Sequence, residues 1–148
     1  MLKGLSSTQV AYIAGFIDGD GSIYVQSKPN TSYRYGFQIA PYIVLFQSSK
    51  SKENFSKLCS LIGLGYMRER KDGILEYIVN KQDAVYSLIK KIAPYIMLKK
   101  KQIVLMLQVL EKKSLVRSKK DFIALMDLVD RFRALNYSKK RNKHKLTP

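Results

Sequence analysis

The sequence predicts an α+β fold in the order helix, hairpin, helix, hairpin, helices, and three observations carry that expectation. Apolar residues recur at helical spacing in the first twenty residues, around 52–62 and beyond residue 80. Two stretches, 22–47 and 66–80, alternate with period two, as strands with one packed face do. Turns rich in Gly, Pro, Asn and Asp separate these segments. At 148 residues the chain fits one ordinary domain.

The first helix is capped at Ser6 or Ser7, with Gln9 placed for a capping box on Ser6. Ile13, Phe16 and Ile17 form its apolar stripe, and Ala11, Gly15 and Gly19 a second, small-residue stripe. It ends at Asp18-Gly19-Asp20-Gly21, where two glycines permit backbone conformations closed to other residues. Strands follow at 22–29 and 35–47, joined through Pro29-Asn30-Thr31-Ser32. Ile23, Val25, Phe37, Ile39, Ile43 and Leu45 share the packed face, and Pro41 predicts an edge or a bulge. Phe55, Leu58, Cys59 and Ile62 mark a helix over about 52–62, stopped by Gly63 and Gly65. Strands at 66–71 and 74–80 turn at Lys71-Asp72-Gly73. Helices over about 81–92, 99–112 and 119–136 complete the chain, Pro94 parting the first two.

Composition narrows the function. Lys and Arg number 27 against 11 Asp and Glu, a formal charge of +16, which points to a polyanionic partner, nucleic acid first. A hydrophobic share of 46% argues against disorder along most of the chain. The single cysteine, Cys59, can form no internal disulfide and complete no cysteine-based metal site. The single histidine, His144, lies in a basic tail, which removes His-based nucleases and hydrolases. No apolar run approaches a membrane span, and Met1 to Gln9 is too polar for a signal peptide, so the expected setting is soluble and intracellular.

The unpacked face of the strands carries Tyr24, Gln26, Lys28, Gln38, Tyr42, Arg68, Arg70, Glu76 and Asn80. Arg, Gln, Asn and Glu are the side chains that read base edges in a major groove. The competing reading is an ordinary solvated sheet face, and the net charge favours the first. Residues 138–148 form a basic tail with Lys139, Lys140, Arg141, Lys143 and Lys145, suited either to clamping a phosphate backbone or to solubility alone.

With so few acids, Asp18 and Asp20 at the end of the first helix are the tightest candidate for Mg2+, an ion that takes oxygen ligands. Termination of the helix is their competing role. A calcium loop fails here, because its glycine position is Ile23 and its twelfth position Pro29. The Glu69-Arg70-Lys71 fragment lacks the upstream Pro-Asp of a common nuclease motif.

Ile13-Ala14-Gly15-Phe16-Ile17-Asp18-Gly19-Asp20-Gly21 resembles the motif of the LAGLIDADG homing endonucleases, written here as IAGFIDGDG. One copy in 148 residues resembles the single-motif, homodimeric branch of that family. Gly63-Leu64-Gly65-Tyr66 and Leu98-Lys99-Lys100-Lys101-Gln102 extend the resemblance over nearly the whole chain.

The resemblance implies an αββαββα domain over 1–137, whose curved antiparallel sheet forms a DNA-binding saddle, followed by the tail 138–148. It implies a homodimer packed through Ala11, Gly15 and Gly19, although another helix of the same chain could instead fill that stripe. It makes Asp20 the metal-binding acid, with the Gly19 carbonyl beside it, and leaves Asp18 as a structural cap. Gln47 would position solvent and Lys99 would stabilise charge on the phosphate. The family's further basic position falls at Ser51, between Lys50 and Lys52. DNA contacts carry over to Gln26, Lys28, Asn30, Ser32, Tyr33, Gln38, Arg68, Arg70 and Glu76, with Tyr24 and Tyr42 on the same face and Ser138 and Lys139 on the backbone. Val44, where relatives are often polar, implies a thymine-methyl contact or no readout. The implied reaction is Mg2+-dependent hydrolysis of both strands of a long pseudo-palindromic site, with Mn2+ or Ca2+ able to occupy the metal position. The setting would be the cytoplasm, nucleoid or an organelle matrix. An RNA-splicing maturase, or a non-cleaving nucleic-acid-binding protein on the same scaffold, is the alternative.

Overall fold

The computed structural model describes residue 2 and residues 4–136. Helix α1 spans Ser7–Asp20 and opens with the expected capping box. Ser6 Oγ accepts the Gln9 N–H at 3.1 Å, and Gln9 Oε1 accepts the Ser6 N–H at 2.9 Å. The helix stops at Gly21, but not through the left-handed backbone that its glycines suggested. Gly21 is extended (φ −111°, ψ 172°) and is needed for closeness, since a Cβ there would lie 2.7 Å from the Ile17 carbonyl oxygen.

Strands β1 (Gly21–Pro29) and β2 (Phe37–Ser48) pair antiparallel without interruption, from Gly21 opposite Leu45 to Pro29 opposite Phe37. The register therefore holds no bulge at Pro41. This residue lies instead beyond the β2–β4 ladder, which begins at Ile43, so β2 is locally an edge there. Helix α2 (Lys52–Ile62) ends on a left-handed Gly63, φ 62°. Strands β3 (Tyr66–Glu69) and β4 (Ile74–Val79) turn on Gly73, φ 83°, and the sheet order is β1-β2-β4-β3. Helices α3 (Gln82–Ile92), α4 (Lys100–Leu115) and α5 (Lys119–Leu135) follow, α4 running three residues past its expected end.

All the helices share one layer. The inward residues Ile23, Val25, Ile39, Ile43, Leu45, Leu75, Tyr77 and Val79 join Ile13, Ile17, Phe55, Leu88, Met106 and Phe132 in one core. Phe37 departs from its expected place: it is 37% exposed and stacks on Phe122 of α5 rather than entering the core. The Tyr77 hydroxyl accepts the backbone N–H groups of Leu64 at 2.9 Å and Gly65 at 2.7 Å. A Cβ at Gly65 would sit 2.2 Å from the Ile78 carbonyl oxygen, which explains the Gly63-Leu64-Gly65 turn into β3. No helix among the described residues is long and apolar enough to cross a membrane.

Candidate nucleic-acid interface and metal site

Alternation along the paired strands settles which side chains share the uncovered face. Ser22, Tyr24, Gln26 and Lys28 of β1 lie opposite Val44, Tyr42, Ala40 and Gln38 of β2. On the other side of β2, Phe46 lies opposite Glu76 and Val44 opposite Ile78, and Arg68 and Tyr66 of β3 continue those two rows. Tyr24, Gln26, Lys28, Gln38, Tyr42, Arg68 and Glu76 are thus on one face, with Arg70 at its rim. Tyr24 and Tyr42 stack at 5.0 Å with 13° between their planes, and the Lys28 ammonium lies 5.0 Å from the Tyr42 ring centroid while donating to its hydroxyl. Arg68 faces Glu76 at 3.9 Å, and Arg70 is held by Asp72 at 2.6 Å in the turn. Val44 is 2% exposed between Ser22 and Ile78, so its methyls are covered within the chain. Tyr66, 51% exposed in the same row, was not singled out by sequence reasoning, although the alternation that placed Arg68 and Arg70 on this face implied it as well.

The loop 30–36 caps the outer end of the face. Asn30 Oδ1 accepts from the Ser32 N–H at 3.0 Å and the Ser32 hydroxyl at 2.6 Å, an Asx turn that leaves Tyr33 43% exposed.

At the opposite end of β1 stands Asp20. Its side chain is exposed and, among the described residues, has no hydrogen bond or ion pair. It sits at the C-terminus of α1, where the helix dipole is negative, and no basic residue occupies that last turn. The neighbouring Gly19 carbonyl belongs to the last turn, whose carbonyls lack intrahelical donors. Exposed carboxylate and carbonyl oxygens suit a hard divalent cation. Among the described residues no three acids, histidines or cysteines cluster.

Asp18, two residues earlier, has a different place. It is 8% exposed and reaches across to the segment before α4. Its Oδ2 accepts the N–H groups of Met97 at 2.7 Å and Leu98 at 3.1 Å, and its Oδ1 accepts that of Lys99 at 3.1 Å. Its own carbonyl accepts the Lys99 ammonium at 2.6 Å. Burial pushes the Asp18 carboxyl pKa up, but the three backbone N–H bonds and the Lys99 charge outweigh that and leave it below its ordinary value. Asp18 is therefore structural, as expected, but instead of capping its own helix it ties down the segment Met97 to Lys99 that leads into α4. The signal was legible in part: Asp18 falls four residues after Ala14 on the buried stripe, where a carboxylate needs donors. Which donors answer it, 79 to 81 residues away, only the fold reveals.

Lys99 thereby stands at the same end of α1 as Asp20. Gln47 joins them from β2: Gly21, next to Asp20, pairs with Leu45, two residues before it. By alternation Gln47 lies on the helix side of the sheet, at its half-buried margin, and its Oε1 accepts the Ser48 N–H at 2.8 Å. Of the two lysines flanking Ser51, Lys52 is bound to Glu69 at 3.0 Å, whereas Lys50 is exposed with no ion pair among the described residues. A second tie went unforeseen: Asn136 donates to the Ile23 carbonyl at 2.7 Å and accepts from Gln102 at 3.3 Å, joining the end of α5 to β1 and α4. No local pattern marks it.

The outer face of α1 presents Tyr12 (64% exposed), Gly15 and Gly19, with Ala11 half-covered. A Cβ at Gly15 or Gly19 would meet nothing within 4 Å, so no helix among the described residues packs against these two positions of the small-residue stripe. Ser138, Lys139 and the rest of the basic tail lie outside the described residues.

Residues 13–107 match the family model described as LAGLIDADG endonuclease. The DNA endonuclease I-CreI of Chlamydomonas reinhardtii is 35% identical over 131 residues, spanning 88% of this chain and 80% of its own. The DNA endonuclease I-CvuI of Chlorella vulgaris is 31% identical over 134 residues, spanning 88% and 81%. The crystal structure of I-CvuI on the I-CreI target with magnesium, its DNA uncleaved, superimposes with a TM-score of 0.83 at 28% identity, covering 90% of this chain and 85% of that one.

Proposed function

The chain belongs to the LAGLIDADG endonuclease family, a family of DNA-cleaving enzymes, and from that premise we propose that it is a site-specific, double-strand DNA endonuclease acting as a homodimer with Mg2+. The observation that carries this reading is Asp20, an exposed and unpaired acid where the polar sheet face meets the uncovered face of α1. Two copies joined along α1 bring two such acids together and align two sheets into one saddle. Asp20 and the Gly19 carbonyl are the groups of this chain that would hold the cation. When bound, the ion lowers the pKa of water and neutralises charge on the scissile phosphate. Lys99, anchored by Asp18, adds positive charge there, and Gln47 orients solvent. Lys50, rather than the engaged Lys52, is the better replacement for the basic residue missing at Ser51.

Selection of cleaved sequences from a randomised duplex library with Mg2+ tests the proposal. A long site with two-fold symmetry is the expected result, and the absence of any cleaved sequence overturns it. Two copies carry +32 together, so binding should weaken roughly 10³-fold or more between 50 and 200 mM salt.

The proposed interface makes opposite demands on Gly15. In the monomer its Cβ position is open, so Gly15→Leu relieves a helix-interior glycine and should cost the fold nothing. Across a close helix pair the same side chain has no room. The variant should sediment as a folded monomer and lose cleavage, and an unaltered dimer would exclude this face as the interface.

A further inference from the structure

Tyr35 and Phe37 flank the outer hairpin and both lie against one residue of α5. The ring of Phe122 stacks on Tyr35 at 5.0 Å with 25° between planes, and on Phe37 at 6.5 Å with 22°. The Arg34 guanidinium covers the other rim of the stack, 5.5 Å from the Tyr35 centroid. The loop is otherwise closed on itself: the Asn30 N–H donates to the Gly36 carbonyl at 2.8 Å, the Gly36 N–H to the Tyr33 carbonyl at 2.9 Å, and Gly36 is left-handed (φ 81°). No hydrogen bond among the described residues joins the loop to α5, so ring contacts fix the angle between them. A gap of about 150 Å3 beneath the loop, lined by Tyr33, Lys113, Val116 and these rings, means that packing alone does not fill the joint. Phe122 itself is held firmly. Ser118 caps α5 by accepting the Asp121 N–H at 3.2 Å, and Asp121 in turn accepts the Arg117 N–H at 3.0 Å.

We infer that Phe122 is a specificity-positioning residue, an aromatic platform on a helix away from the reading face that sets the pose of the hairpin tip on DNA. This rests on the proposed DNA-reading role of Asn30, Ser32 and Tyr33. The tip is remote from the chemistry: β1 begins next to Asp20, and its nine residues at about 3.3 Å each reach roughly 30 Å, nearly one turn of duplex. An effect transmitted through Phe122 therefore falls on the outermost base pairs of each half-site and spares the centre. A stacked ring beneath a loop restricts tilt, and loss of tilt control degrades hydrogen-bond readout, which is directional.

The test compares Phe122→Leu, which keeps apolar volume without the ring, with Phe122→Tyr, which keeps the ring. Each is assayed on a duplex selected from the randomised library and on its single-base-pair variants. For Phe122→Leu, discrimination at the outermost two or three base pairs should fall about tenfold. Discrimination at central positions and kcat on the selected duplex should stay within about twofold, and Phe122→Tyr should restore the parent profile. A uniform loss across all positions, or an unchanged profile, overturns the platform. Asn30→Ala and Tyr33→Ala, run alongside, separate the two layers. If they alter the outer positions and Phe122→Leu does not, the platform fails; if they leave those positions unchanged, the reading role of the tip fails first.

Discussion

Asp20→Asn is expected to lower Mg2+-dependent cleavage by about 10³-fold or more, to the limit of detection, without harming the fold or the binding of DNA. The amide keeps the shape of the side chain but surrenders the charge that attracts a divalent cation. Stability should move the other way. Asp20 lies at the negative end of α1, with no base in that turn and no partner for its carboxylate among the described residues. Removing a charge of the wrong sign at a helix C-terminus is worth about 0.3–1 kcal/mol. For a chain of this size that corresponds to a rise in Tm of about 1–3 °C. Metal-free DNA affinity should equal or exceed the parent's, since each copy loses one negative charge facing phosphate. Thermal melting, a gel-shift titration in EDTA and a cleavage assay in Mg2+ check the three limbs. Retained cutting would sink the site assignment, and a fall in Tm would show that Asp20 is a structural acid.

The site was legible only in part from the residues themselves. Asp18 and Asp20 stood out together as the tightest pair of acids in a strongly basic chain, and the resemblance to the LAGLIDADG motif alone singled out Asp20 and supplied Gln47 and Lys99. The elements were legible from local pattern. Period two placed β1 and β2 within two residues, and the capping box located the start of α1. Two kinds of feature stayed hidden. One is strand order: the pairing of β2 with β4 rather than β3 depends on three-dimensional closure, and it decides that Pro41 lies beyond a ladder's end instead of in a bulge. The other is contact between remote segments. Neither the Phe122 stack nor the bond from Asn136 to Ile23 leaves any spacing to read, because each joins residues far apart in the chain that look locally ordinary for the helix, loop or strand they occupy. Gly21 shows the intermediate case, a glycine correctly singled out for the wrong reason, needed for close approach and not for a left-handed φ.

Asp18→Asn should also damage activity, less severely than the loss of Asp20 and by a wholly different route. The carboxylate accepts the Met97 and Leu98 N–H groups on one oxygen and the Lys99 N–H on the other. An asparagine can present its oxygen to only one side, so its NH2 must face a backbone donor whichever way it turns. One or two N–H groups of the Met97 to Lys99 segment leading into α4 lose their acceptor, and no side chain caps the helix in its place. The cost should be about 2 kcal/mol, a fall in Tm of roughly 4–8 °C at neutral pH. Acid should erase the difference. Because the folded pKa of Asp18 lies below its ordinary value, its stabilisation is complete above the unfolded pKa, near 3.9, and is lost as pH falls through the folded value. Parent and variant melting curves should therefore begin to draw together as pH falls below about 4 and meet only below the folded pKa of Asp18, which a purely steric defect would not produce. On the proposed site Lys99 is the functional casualty: its backbone N–H and its ammonium both bind Asp18, and a displaced segment before α4 would carry it from its proposed place at the phosphate. A drop in kcat of about 10- to 100-fold, with DNA affinity changed far less, is the expected signature of a misplaced catalytic group. If the melting temperature at pH 7 stays at the parent's value, Asp18 does not hold the two helices together, and the placement of Lys99 needs another cause.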